Sequence, residues 1–106
     1  MHLHKLSDMT KGWFVGDFSP VVLRSSSTEV GVKHYAAGTV EARHVHKVGT
    51  EVTAIVSGRA RMNDLVLEAG DIVVIEPGEA TDFEALTEVT TVVVKTPGTA
   101  GDKYPC

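Results

Sequence analysis

The feature that most constrains this chain is the spacing of its turn signals. Gly16-Asp17, Ser25 to Ser27, Ala37-Gly38, Lys47 to Thr50, Asn63-Asp64, Ala69-Gly70 and Pro77-Gly78 punctuate it. These residues favour reversal through positive φ, a preset φ or a local side-chain hydrogen bond. No segment between them sustains a helical period for more than about two turns. The runs are instead rich in Val, Ile, Thr and aromatic residues, which suit a pleated, half-buried surface. The pattern predicts an all-β chain with strands at Trp13 to Val15, Val21 to Arg24, Glu29 to Tyr35, Val40 to His46, Glu51 to Ser57, Arg59 to Met62, Leu65 to Leu67, Asp71 to Ile75, Asp82 to Ala85 and Val89 to Lys95.

A length of 106 residues suits one domain, spanning 1–106, with one core. Ten Lys and Arg against 14 Asp and Glu leave a net charge of -4, and no basic run is present to neutralise a row of phosphates, so no nucleic-acid partner is expected. The single cysteine, Cys106, permits neither an intrachain disulfide nor a Cys-rich zinc site, which fits a reducing cytoplasm. Met1 to Thr10 lacks the apolar stretch of a secretory signal, and no run approaches the roughly 18 apolar residues of a membrane span. A cytoplasmic protein without membrane association is the expectation.

Alternation assigns faces, because neighbouring strand residues point to opposite sides of a sheet. In Val40 to His46 it places Val40, Ala42, His44 and His46 on one face and Glu41, Arg43 and Val45 on the other. His34 shares a face with Val30 and Val32, which makes it a candidate for the interior. Ile72 to Ile75 is apolar on both faces, as expected for a strand between the interior and a covering layer or second subunit.

The chemistry concentrates in Gly38 to Gly58, which reads G-x5-H-x-H-x4-E-x6-G. Two histidines at i and i+2 share a face, and a short turn can bring the carboxylate of Glu51 beside them on the next antiparallel strand. Two imidazoles and a carboxylate with open positions suit divalent iron, manganese, nickel or zinc. His44, His46 and Glu51 are therefore candidate metal ligands. A plain structural role is the alternative: hydrogen-bonded histidines in a polar interior, with Glu51 balancing Lys47 or Arg43.

The same stretch resembles the first motif of the cupin superfamily at every defining position. Gly70 to Ala85 resembles the second, G-x5-P-x-G-x2-H, with Glu76 where the first proline would stand and Thr81 where the histidine would stand. The resemblance implies a double-sheet jelly-roll β-barrel (RmlC-like), a ligand site at the barrel mouth and a homodimer. It implies a fourth metal ligand at the position of Thr81, where a neutral hydroxyl is a poor substitute. Lys11 to Phe18, His44 to Lys47 and Gly101 to Tyr104 are similar to a group of small stand-alone cupins. His44-Val45-His46-Lys47 also resembles the nucleotide-sugar ketoisomerases, which implies metal-free catalysis with His44 and His46 as acid and base.

Three functions follow as expectations. The first is a small-ligand-binding cupin with a divalent metal on His44, His46 and Glu51. The second is a metal-free isomerase or epimerase acting on a sugar or nucleotide-sugar, with His44 or His46 as proton carrier. The third is a non-catalytic ligand-sensing barrel. Trp13, Phe14 and Phe18 are expected in the core or at a dimer interface, Asp82 and Glu84 facing outward, Arg59 and Arg61 as a surface ladder, and Tyr104 as a cap.

Overall fold

The computed structural model describes residues 1–106. Two single-turn 3-10 segments, Leu6–Asp8 and Thr10–Gly12, precede eleven strands: β1 Trp13–Gly16, β2 Leu23–Arg24, β3 Glu29–Tyr35, β4 Val40–Val45, β5 Thr50–Ser57, β6 Arg59–Met62, β7 Leu65–Glu68, β8 Ile72–Ile75, β9 Ala80–Ala85, β10 Val89–Thr96 and β11 Tyr104–Pro105. All ten expected strands are present with small shifts at their ends, and β11 is additional. The strands form a six-stranded sheet, β2-β1-β3-β10-β5-β8, and a five-stranded sheet, β11-β4-β9-β6-β7. The expected jelly-roll barrel is thus two facing sheets that are not hydrogen-bonded into a closed cylinder. No helix is long and apolar enough to cross a membrane.

The interior changes character from one end to the other, and single strands encode the change. Along the inward face of β10 the side chains are Val89, Thr91, Val93 and then Lys95; along β5, read backwards, they are Ile55, Thr53 and Glu51. The apolar ends meet in a core of Ile55, Ala60, Met62, Leu67, Ile75, Phe83, Ala85 and Val89. Their burial supplies the hydrophobic stabilisation. The polar ends meet above it and leave a cavity.

β8 departs from the expectation of burial on both faces. Val73 and Ile75 face inward, but Ile72 and Val74 are 65% and 55% exposed on the outer face of an edge strand. His34 also lies outside, where its Nδ1 meets the Thr90 hydroxyl at 2.9 Å. The inward positions of β3 are Gly31, Lys33 and Tyr35, paired with Val93, Thr91 and Val89. Apolar residues mark the interior only where the interior is dry, and at this end it is a polar cavity.

Candidate functional site

The cavity, of about 510 Å³, lies between the two sheets. Trp13, Lys33, Tyr35, Glu51 and Lys95 line it from one sheet, and Glu41, His44 and Thr81 from the other. β4 and β9 are in register at Glu41↔Phe83 and again at His44↔Thr81, so Ala42 and Arg43 together oppose Asp82. This bulge resets the alternation. Glu41 therefore lines the cavity with His44, whereas Val40 is 66% exposed, which corrects the expected grouping of Val40 and Ala42 with the histidines.

His44 Nδ1 lies 2.9 Å from the Ala42 carbonyl oxygen. A carbonyl only accepts, so Nδ1 carries the proton and neutral His44 keeps its lone pair on Nε2. His46 lies just beyond β4, buried, its ring edge-on to that of His44 with centroids 5.1 Å apart. Burial, and then the charges of Lys95 and His44, lower its pKa and favour the neutral form. Its Nε2 is buried with no hydrogen-bond partner.

Glu51 faces inward on β5, where the Thr53 hydroxyl donates to its Oε2 at 3.3 Å. Burial raises its pKa against the opposing pull of Lys95, its cross-strand neighbour. Burial and the Glu41 carboxylate push the Tyr35 phenol far above its ordinary range. Burial also lowers the pKa of Lys33, with Glu41 opposing. The site thus combines an imidazole with its Nδ1 tied to backbone, a carboxyl group biased towards its protonated form and two inward-facing ammonium groups. It can hold a small polar ligand, donate and accept protons, and balance negative charge.

As a metal centre this donor set is incomplete. His44 and His46 are adjacent, but no group of three His, Cys, Asp or Glu side chains is arranged to hold an ion. Thr81 stands directly across from His44, and Lys95 places a resident cation beside Glu51. As arranged, the residues do not fit a divalent ion.

The C-terminal segment closes the site from one side. The Asp102 carboxylate accepts hydrogen bonds from the backbone N–H groups of Lys47, Val48 and Gly49 at 2.8–3.2 Å. It thereby holds the turn that joins the histidines to Glu51. Lys103 reaches Glu41 at 3.9 Å, Tyr104 lies under the Lys47 ammonium at 4.1 Å, and β11 pairs with β4 at His44 and Val45. Burial acts to raise the Asp102 pKa, but the three N–H donors outweigh it and hold the carboxyl below its ordinary value. The clasp is therefore present above the unfolded-state pKa of Asp102 and is lost as pH falls through the lower, folded value. Asp102→Ala is expected to cost about 2 kcal/mol at neutral pH. Denaturation curves of variant and wild type should converge at acid pH; an equal difference at every pH would count against the clasp.

Sequence reasoning missed Lys33, Tyr35, Glu41 and Lys95 as cavity residues. A signal existed for Lys95, the charged end of the i+2 series Val89, Thr91, Val93. Trp13, expected in the core or at an interface, is a cavity wall, and Phe18 packs its ring over Gly16. Arg61 pairs with Glu84 at 2.7 Å away from the cavity, in line with the expected surface ladder.

The architecture of two facing sheets with a polar cavity at one end defines a double-stranded β-helix protein, and comparison with solved structures agrees. A protein with a double-stranded β-helix domain from Klebsiella pneumoniae subsp. pneumoniae MGH 78578 shares 33% identity over 76% of this chain and 71% of its own, with a TM-score of 0.67. A cupin superfamily protein from Desulfitobacterium hafniense DCB-2 aligns at 13% identity over 68% and 69%, with a TM-score of 0.63. The DMSP lyase DddQ from Ruegeria pomeroyi DSS-3 aligns at 17% identity over 88% of this chain and 49% of its own, with a TM-score of 0.72. No protein-family model matches the chain, and no curated protein does. The chain belongs to the cupin superfamily.

Proposed function

We propose that this cupin binds a small sugar-like ligand in its cavity and moves a proton on it without a metal, as an isomerase or epimerase. The observation that carries the reading is that Glu51 and His44, whose Nδ1 is committed to the Ala42 carbonyl so that its Nε2 is the open nitrogen, line one cavity. His44 Nε2 takes the proton from the hydroxyl-bearing carbon beside a carbonyl, and Glu51, in its protonated form, donates to the carbonyl oxygen, which gives an enediol. Returning the two protons, with carbon and oxygen exchanging roles, completes an isomerisation. His46, neutral and in contact with His44, orients it. The test is deuterium incorporation from D2O into carbonyl sugars, followed by NMR. His44→Ala is expected to slow exchange by about 100-fold or more. Exchange unchanged in that variant would rule out His44 as the base.

One observation favours a second reading, in which a divalent ion recruits His44, His46 and Glu51 on binding: the His46 Nε2 is buried and has no partner. Elemental analysis of protein purified without an affinity metal, compared with a His44→Ala, His46→Ala variant, decides between the two.

We also propose a homodimer formed through the outer face of the six-stranded sheet. Val52, Ala54, Ile72 and Val74 alternate outward on β5 and the edge strand β8, an apolar surface that a second copy would cover. Light scattering should give about twice 11.3 kDa. Val74→Lys should give the monomer, and a wild-type monomer at micromolar concentration would defeat the proposal.

A further inference from the structure

Two lysines at the inner wall of the cavity stand out because neither is in direct contact with a carboxylate, although Glu41 and Glu51 line the same cavity. The Nζ atoms of Lys33 and Lys95 lie 5.2 and 5.1 Å from the centre of the Trp13 ring. The ring lies against the backbone of β3 so closely that a Cβ on Gly31 would come within 2.8 Å of it. It is thus a fixed platform, and attraction to its face keeps both ammonium groups from folding away.

Neither lysine belongs to an ion pair. The three salt bridges of the chain join Arg24 to Asp17, Arg61 to Glu84 and Lys103 to Glu41. Lys95 has glutamates as both cross-strand neighbours, Glu29 and Glu51, yet is within 4.0 Å of neither carboxylate. Lys33 donates one hydrogen bond, 2.6 Å long, to the Lys11 carbonyl and retains its other N–H donors. Two half-buried ammonium groups that reach the same ring repel each other. An oxyanion between them would relieve it and use their free donors.

We propose that Lys33 and Lys95, held on Trp13, form an oxyanion subsite, so that the ligand of this cavity is a sugar acid or sugar phosphate rather than a neutral sugar. The inference rests on the reading of the cavity as a proton-transfer site and adds the class of its substrate. The subsite anchors the anionic end of the ligand while His44 and Glu51 address its carbonyl end.

Trp13 is the only tryptophan in the chain, so its fluorescence reports on the subsite directly. Wild-type protein is titrated at constant ionic strength with inorganic phosphate, glucuronate and glucose up to about 50 mM, a range that reaches millimolar affinities. Phosphate, glucuronate or both are expected to give a saturable change, which also separates the two sources of the oxyanion, and glucose none. Lys33→Met and Lys95→Met should each weaken binding about tenfold, the loss of one charge-assisted contact. His44→Ala should still bind the anion. Absence of a saturable anion response in wild type, which needs no variant to fold, overturns the subsite, as does undiminished binding in both lysine variants. Anion binding without proton exchange on any anionic sugar would sustain the subsite and sink the isomerase reading. Exchange equally fast on neutral and anionic sugars would do the reverse.

Discussion

Gly58→Ala is expected to cost about 3 kcal/mol and to lower the melting temperature by roughly 12–24 °C for a domain of this size. Gly58 occupies the turn between β5 and β6, where the chain passes from one sheet to the other, at φ 85°. A Cβ there would sit 2.0 Å from the backbone carbonyl oxygen of Glu88. A backbone atom at that distance cannot rotate away, so the β5–β6 turn or the residues before β10 must move. Left-handed backbone adds about 1–2 kcal/mol for any residue with a Cβ. Gly70 supplies the control: its φ is 94°, but a Cβ there meets nothing within 4 Å. Gly70→Ala should therefore lose only that conformational part, about 1–2 kcal/mol. Calorimetry that finds equal losses in the two variants would show that the contact with Glu88 is not what makes glycine necessary at 58.

Thr81→His should strengthen divalent metal binding, with affinity for Zn(II) or Ni(II) about 100-fold above that of the wild type. Thr81 is buried and pairs directly with His44 across β4 and β9, so an imidazole there joins the one pair of nitrogen donors already in contact. Ligand nitrogens must be neutral, so metal-induced stabilisation in the variant should grow as pH rises from 5 to 8, through about the ordinary histidine pKa. A metal-saturated variant melts higher by the mass-action link between binding and stability, which thermal shift with and without metal reads directly. A wild-type protein that shows the same metal-dependent shift would move the assignment to the second reading, with His44, His46 and Glu51 as ligands and no need of Thr81. Persistence of that shift in Glu51→Ala would then remove Glu51 from the set.

The fold was legible because its determinants are local. Turn residues at short intervals and β-branched runs between them place ten strands, and the two glycine-bounded motifs carry the resemblance to the cupin fold. β11 was not legible: Tyr104–Pro105 has no strand pattern of its own and is held by pairing with His44 and Val45 and by the neighbouring Asp102 clasp.

The site was legible in part. His44 and Glu51 do face one cavity. Glu41 was assigned to the wrong face because alternation assumes an unbroken register, and the two-against-one bulge at Ala42 and Arg43 is a property of the β4–β9 pair, not of β4 alone. His34 and Lys33 were exchanged for a related reason. Valines at 30 and 32 mark an interior only if the facing sheet is apolar, and here it presents Glu41 and His44.

By itself, then, the amino-acid sequence determined the all-β architecture, the two glycine-bounded motifs and the presence of an imidazole pair with a nearby carboxylate, all of which follow from short-range spacing. Tertiary structure alone decided which donors meet. Strand pairing within the six-stranded sheet set Lys33 and Lys95 against Trp13 from strands far apart in the chain and put Lys95 beside Glu51, and packing left His46 Nε2 buried without a partner. Those relations join residues tens of positions apart, and electrostatics at a few ångströms depends on where side chains end, not on where they begin in the chain.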